Sequence, residues 1–232
     1  KVTGTALILV ARDGQNMIAV SPGANAAVTP DDIAAAESLI ASADALVVQL
    51  ELPLKTVEAA LAIARRNDVR TILNPAPAIA GAMSLMPLAD IVTPNEIELA
   101  GLTGIDDQSD PALHAALHAL KKAGAGQPLV TLGLNGCAAL IEGALVRVPA
   151  FRVKAVDATG AGDVFHGALS FGVSKGWPID RTIEFASAVA AVKCTALGGR
   201  TGIPTLAEAL EFLRERSGDG FWRDPALTGQ DS

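Results

Sequence analysis

Val156-Asp157-Ala158-Thr159-Gly160-Ala161-Gly162-Asp163-Val164-Phe165 is the stretch from which the rest of the chain is best read. Its glycines alternate with a small residue and run into an apolar sequence that continues to about residue 175 and closes at Gly176. Such a loop presents consecutive backbone N–H groups at the positive end of a helix, which suits a phosphate or a developing oxyanion. Asp163, in the first turn, would lie beside that anion and could take the proton of an alcohol attacking a phosphate. The same residues also make a plain helix start, with a carboxylate facing the dipole and glycine for close packing. Taken alone, the segment does not choose between the two. It is no P-loop, because no Gly-Lys-Ser/Thr follows, and Asp163 would repel the pyrophosphate of a dinucleotide.

Downstream, apolar periodicity predicts helices over about 180–197, closed by Gly198-Gly199, and over 204–216. Upstream, short apolar runs alternate with helical patterns. Residues 45–49 read as a strand, and Pro53 opens a helix with Val57, Leu61 and Ala64 on one face. Residues 69–73 read as a second strand ending at Asn74-Pro75-Ala76-Pro77, and 90–93 as a third ending at Pro94. Leu113, Leu117 and Leu120 mark another helix before a strand at 128–132. Strand–helix alternation with apolar strands implies right-handed βαβ units, hence an α/β fold with a mostly parallel sheet. Two hairpins flank it: 5–11 with 17–20 around Asp13-Gly14, and 137–141 with 144–148 around Glu142-Gly143. Thr29-Pro30-Asp31-Asp32 reads as a capped start of a helix reaching about residue 42.

The composition agrees. Apolar residues make up 50% of the 232, ample for a core, but aromatics only 3% with no Tyr. The core must therefore be Ala, Leu, Val and Ile, which favours closely packed α/β layers. The net charge of −7 argues against duplex nucleic acid or an anionic membrane as partner. No apolar run approaches the roughly 18–20 residues of a membrane span. Cys137 and Cys194 lie far apart without a ligand-like spacing, so buried thiols in a reducing cytoplasm are expected. His114 and His118, four apart on a helix, read as a solvated face rather than a metal site.

In parallel sheets ligands bind beyond the C-terminal strand ends. There the chain places Gln49-Leu50-Glu51, Asn74, Asn95-Glu96-Ile97-Glu98 and Thr131-Leu132-Gly133-Leu134-Asn135-Gly136. The segment from Asp157 to Phe165 resembles the C-terminal signature of the ribokinase-like (PfkB) carbohydrate kinases. The remainder agrees in order: Gly23-Ala24-Asn25, Gln49-Leu50-Glu51-x-Pro53, Leu73-Asn74-Pro75-Ala76-Pro77, Thr93-Pro94-Asn95-Glu96-x-Glu98, Leu102-Thr103-Gly104 and Thr131-Leu132-Gly133-x-x-Gly136. Gln-Leu-Glu with Asn-Pro-Ala-Pro resembles the ribokinase branch more than the fructokinase or adenosine kinase branches.

The resemblance implies a three-layer α/β/α sandwich with the remnant of a β lid. It implies a kinase passing the γ-phosphate of ATP to D-ribose, giving ribose 5-phosphate. Asp163 would be the base and contact the sugar, and Gly160, Ala161 and Gly162 the anion hole. Asn95 would help organise the phosphates, and Glu98 would organise Mg²⁺ through water and phosphate, since magnesium takes oxygen ligands and keeps several waters. Thr131, Gly133 and Gly136 would form the nucleotide turn, Ser187 would lie near the nucleotide, and Glu51 would hold a sugar hydroxyl. A monovalent cation, K⁺, would sit on Asp157 and Thr159 and on the carbonyls of Lys193, Ala196, Gly198 and Gly202. At that last site the chain departs: the family pattern Gly-Ala-x-x-Ser-x-Pro reads Gly198-Gly199-Arg200-Thr201-Gly202-Ile203-Pro204 here.

The other departure is at the front. The family's first strand, sugar-binding Asp and Gly-Gly-Lys-Gly-Ala-Asn loop have no counterpart, and residues 3–25 match only the later lid strands. The expected organisation is a partial lid at 1–25, a kinase domain at 26–216 and a loose tail at 217–232, in which Trp222 offers the one anchor. An N-terminally truncated kinase is the first expectation. A nucleotide-binding remnant with little transfer activity, or a kinase for another sugar or nucleoside, is the alternative. The lid strands imply a homodimer.

Overall fold

A computed structural model describes residues 1–10, 16–218 and 220–228. The chain forms two compact units, residues 1–133 with 137–147, and residues 134–136 with 148–232.

The first unit opens with an antiparallel pair, β1 (Thr5–Val10) and β2 (Asn16–Ser21), in register from Thr5 opposite Ser21 to Val10 opposite Asn16. The Asp13-Gly14 turn expected between them lies outside the described residues. Next come α1 (Pro30–Ala35) and α2 (Glu37–Ala41), separated at Ala36, where one continuous helix is expected from the sequence. Thr29 and Asp32 form the capping box that starts α1. Glu37, at the head of α2, is drawn to Arg66 at 2.7 Å.

The main sheet follows: β3 (Ala45–Val48), α3 (Leu54–Arg66), β4 (Arg70–Leu73), β5 (Ile91–Val92), α4 (Glu96–Thr103), α5 (Asp110–Lys122), β6 (Gln127–Thr131), β7 (Cys137–Ile141) and β8 (Ala144–Val148). Strands β3 to β8 are neighbours in chain order. The first four run parallel and β7 runs antiparallel to β6, so the βαβ reading holds. Strand β5 is shorter than expected. Asp90 uses its carboxylate, not its backbone, to accept from the Thr71 amide at 2.8 Å.

Along β4 and β6 both alternating sets are buried, Ile72 and Leu129 on one side and Leu73 and Val130 on the other. That is the pattern of a sheet covered on both faces. The face of α3 carrying Val57, Leu61 and Ala64, and that of α5 carrying Leu113, Leu117 and Leu120, are buried against it as their spacing requires.

The second unit is helical: α6 (Ala161–Ser174), α7 (Ile179–Lys193) and α8 (Leu206–Arg216), then two short 3-10 turns, Gly220–Arg223 and Pro225–Thr228. Helix α7 stops at Lys193, short of the expected residue 197. The Cys194 carbonyl is taken by the Val156 amide at 2.7 Å and the Asp157 amide at 3.1 Å, so the helix gives its last acceptors to the segment before α6. The expected loose tail is corrected in part, because Trp222 is fully buried.

Candidate active site

In the first unit the strand ends are laced together. Beyond β3 the Leu50 amide donates to the Ala76 carbonyl at 2.8 Å, and the Asn74 amide donates to Val48 at 2.9 Å. Glu51 follows as an exposed loop residue. Beyond β5, Asn95 caps α4. Its Oδ1 accepts from the Glu98 amide at 2.8 Å, while the Glu98 carboxylate accepts from the Asn95 amide at 2.8 Å and from Asn95 Nδ2 at 3.0 Å. Asn95 also makes an isolated parallel bridge with Thr131, whose amide donates to Pro94 at 3.0 Å. Asn95, Glu98 and Thr131 are thus brought together where β5 and β6 end. Burial pushes the Glu98 carboxyl up, the Asn95 amide pulls it down, and nearby Glu96 adds to the rise. Gly133 has φ +54°, and a Cβ there would meet no described atom within 4 Å, so its backbone stays open to a ligand.

The chemistry of this corner bears on magnesium. Each Glu98 oxygen already accepts from Asn95 but keeps a further lone pair. Among the described residues no group of three or more His, Cys, Asp or Glu could hold a metal ion. A carboxylate with a lone pair left on each oxygen fits the water shell of a magnesium ion that phosphates hold.

In the second unit Gly136 has φ +81°, and a Cβ there would come 2.1 Å from the Val148 carbonyl oxygen, so only glycine fits. Ser187 is half-buried on α7. Helix α6 begins as the sequence implies. Gly160 is its N-cap in the left-handed region at φ +75°, and Asp163 lies exposed in the first turn. A Cβ on Gly162 would meet no described atom within 4 Å. The amides of this first turn, Gly162 and Asp163 among them, have no intrahelical acceptor and are available to an anion.

Asp157 holds the loop before α6. Its carboxylate accepts from the Thr159 amide and the Gly198 amide, both at 2.8 Å. Those amides, then the Thr159 hydroxyl and the Lys193 charge, lower the Asp157 carboxyl to about 2. A lowered carboxylate stabilises the fold above its unfolded value of 3.8, and this is lost as pH falls through about 2. Asp157→Asn is therefore expected to lower the melting temperature at neutral pH, with the gap from wild type narrowing between those two values. A gap that does not change across that window in melting scans would show that the carboxylate's charge is not what holds the loop.

The expectation that Lys193 lends its carbonyl to a monovalent cation is corrected. Lys193 is fully buried, and its ammonium donates to the Asp157 carbonyl at 2.9 Å and to the Thr159 carbonyl. Its own carbonyl instead faces Gly202, where a Cβ would come within 2.3 Å, and accepts from the Ala196 amide at 3.3 Å. With a tethered cation on those carbonyls, the residues present do not fit a K⁺ ion there. A lysine ending an otherwise apolar helix face, beside a loop lacking its serine, was the signal in the sequence.

The chain matches the family model of pfkB family carbohydrate kinases over residues 1–206. It is 37% identical over 213 residues to the ribokinase of Haemophilus influenzae, covering 92% of this chain and 70% of that protein. The crystal structure of ribokinase from Thermotoga maritima superposes with a TM-score of 0.80 at 33% identity, over 91% of this chain and 70% of the other. A structure of Arabidopsis thaliana ribokinase complexed with ribose and ATP gives 0.81 at 27%, over 91% and 69%. The fold and the match define an ATP-dependent phosphotransferase acting on sugars, with the ribokinase-like three-layer α/β architecture. The chain belongs to the pfkB family of carbohydrate kinases. Among the described residues no helix is long and apolar enough to cross a membrane.

Proposed function

We propose that the chain transfers the γ-phosphate of ATP to a hydroxyl of D-ribose, releasing ADP and ribose 5-phosphate. The supporting observation is the exposed carboxylate of Asp163 in the first turn of α6, directly after left-handed Gly160 and open Gly162. Asp163 takes the hydroxyl proton as the sugar oxygen attacks phosphorus. The Gly160 and Gly162 amides receive the charge on the transferring phosphoryl group, while the Ala161 amide donates to the Ala158 carbonyl at 3.0 Å and holds the turn between them. Bound with the nucleotide, Mg²⁺ would neutralise the phosphate oxygens. Asn95 and Glu98 would hold it through water and phosphate, Thr131, Gly133 and Gly136 would carry the nucleotide with Ser187 near it, and Glu51 would take a sugar hydroxyl. Ribose is favoured by the named relatives and by the ribose and ATP in the Arabidopsis complex.

The hairpin β1–β2 leaves Leu7 and Leu9, on one face, each 69% exposed, and Val20, opposite Ala6 on the other face, 56% exposed. Among the described residues neither strand pairs with a third, so the edges and the Leu7 and Leu9 face are open, and a second copy of the chain would cover them. The expected result is heat on titrating Mg-ATP, ribose-dependent ADP release in a coupled assay, and elution as a dimer. Binding without ribose-dependent release would favour a nucleotide-binding remnant. No heat at millimolar nucleotide from folded protein would remove the kinase reading altogether.

A further inference from the structure

We propose that the Lys193 ammonium is a built-in cation that holds residues 157–162 in their anion-binding shape, so that this chain needs no added monovalent cation. The inference rests on the reading above only for what the loop binds. A fully buried lysine is rare, because an unpaired ammonium in the interior is strongly disfavoured. Here it is paired. The ammonium donates to the carbonyls of Asp157, at 2.9 Å, and Thr159, and its charge helps keep the Asp157 carboxyl ionised. That carboxylate clamps the Thr159 and Gly198 amides. One cation thus fixes the carbonyls of two residues immediately before Gly160, the residue that starts α6 and sets the open turn at Gly162. An ammonium has three donors and no acceptor, so the paired carbonyls of Asp157 and Thr159 suit it as they would suit a bare cation.

The geometry at residue 202 makes the arrangement self-consistent. A hydroxyl-bearing side chain there could add an oxygen ligand for a free ion, but its Cβ would come 2.3 Å from the Lys193 carbonyl oxygen. Gly202 therefore removes one ligand at the place where the Lys193 backbone needs the room. The lysine supplies the charge that the missing ligand set would have held.

The test compares melting temperature and Mg-ADP affinity in potassium, sodium and choline chloride at one ionic strength. Wild type is expected to give the same values in all three. Lys193→Met keeps the length and removes the charge, and should weaken Mg-ADP binding about tenfold or more, the size of one lost charge-assisted contact. Lys193→Ala empties the site, and potassium, but not choline, should then raise both melting temperature and affinity. A saturable potassium-specific rise in wild type, or a Lys193→Ala protein indifferent to potassium, would overturn the proposal. If neither variant folds, the wild-type comparison decides alone. Should Mg-ADP fail to bind in every salt, the nucleotide reading falls, while the melting temperatures still report on the cation.

Discussion

In the protein as its gene encodes it, Asp163→Asn is expected to slow ribose phosphorylation by roughly 10²–10⁴ while leaving Mg-ATP affinity in place. The reason is chemical. Asparagine matches aspartate in size and still fits the first turn of α6, but its amide cannot hold the proton that leaves the sugar hydroxyl. The fold should scarcely notice, because Asp163 is exposed and Gly162 beside it faces open space. Only the favourable meeting of a carboxylate with the helix dipole is lost, about 0.3–1 kcal/mol. Coupled ADP release, titration calorimetry and a melting scan separate these effects. Near-normal turnover would remove Asp163 from the chemistry. A large fall in melting temperature would make its role structural.

The parallel core was legible because its signals are local. The strand-like runs at 45–49 and 69–73 are too short for helices, and Val57, Leu61 and Ala64 can share a face only at helical spacing. The start of α4 is local too: Asn95 and Glu98, three residues apart, close its capping box without help from any distant residue. The loop before α6 was legible through glycine, because left-handed Gly160 admits few alternatives. What could not be read depends on partners distant in sequence. Helix α7 carries no stop signal at Lys193; it ends because residues 156–157 claim the Cys194 carbonyl. The sequence marks Lys193 as a lysine on an apolar helix face, but not what it binds, as its acceptors lie more than thirty residues earlier. The sequence also gives no warning of the break at Ala36, and nothing in its composition explains it.

Trp222→Ala should destabilise the second unit by about 3–5 kcal/mol, the range for truncating a large buried aromatic. The composition of residues 217–232 suggests a tail without periodic structure, yet Trp222 is fully buried. Its ring lies 4.9 Å from Phe221, 5.6 Å from Trp177 and 6.2 Å from Phe185, most of these in edge-to-face contact. Its Nε1–H donates to Glu184 Oε2 at 2.8 Å, and its carbonyl accepts from Arg214 Nε at 2.7 Å. The segment thus ties α8 to α7, using a good share of the chain's few aromatic side chains. Against a total stability of about 5–15 kcal/mol, the loss would bring the unit near its unfolding threshold. Trp222→Phe keeps a ring but removes the donor to Glu184, and should lose less, about 1 kcal/mol for the hydrogen bond plus a smaller packing loss. Denaturant titrations followed by the fluorescence of Trp177, which remains in both variants, give the comparison. An Ala variant within about 1 kcal/mol of wild type would mean that the segment does not dock on α7 in solution.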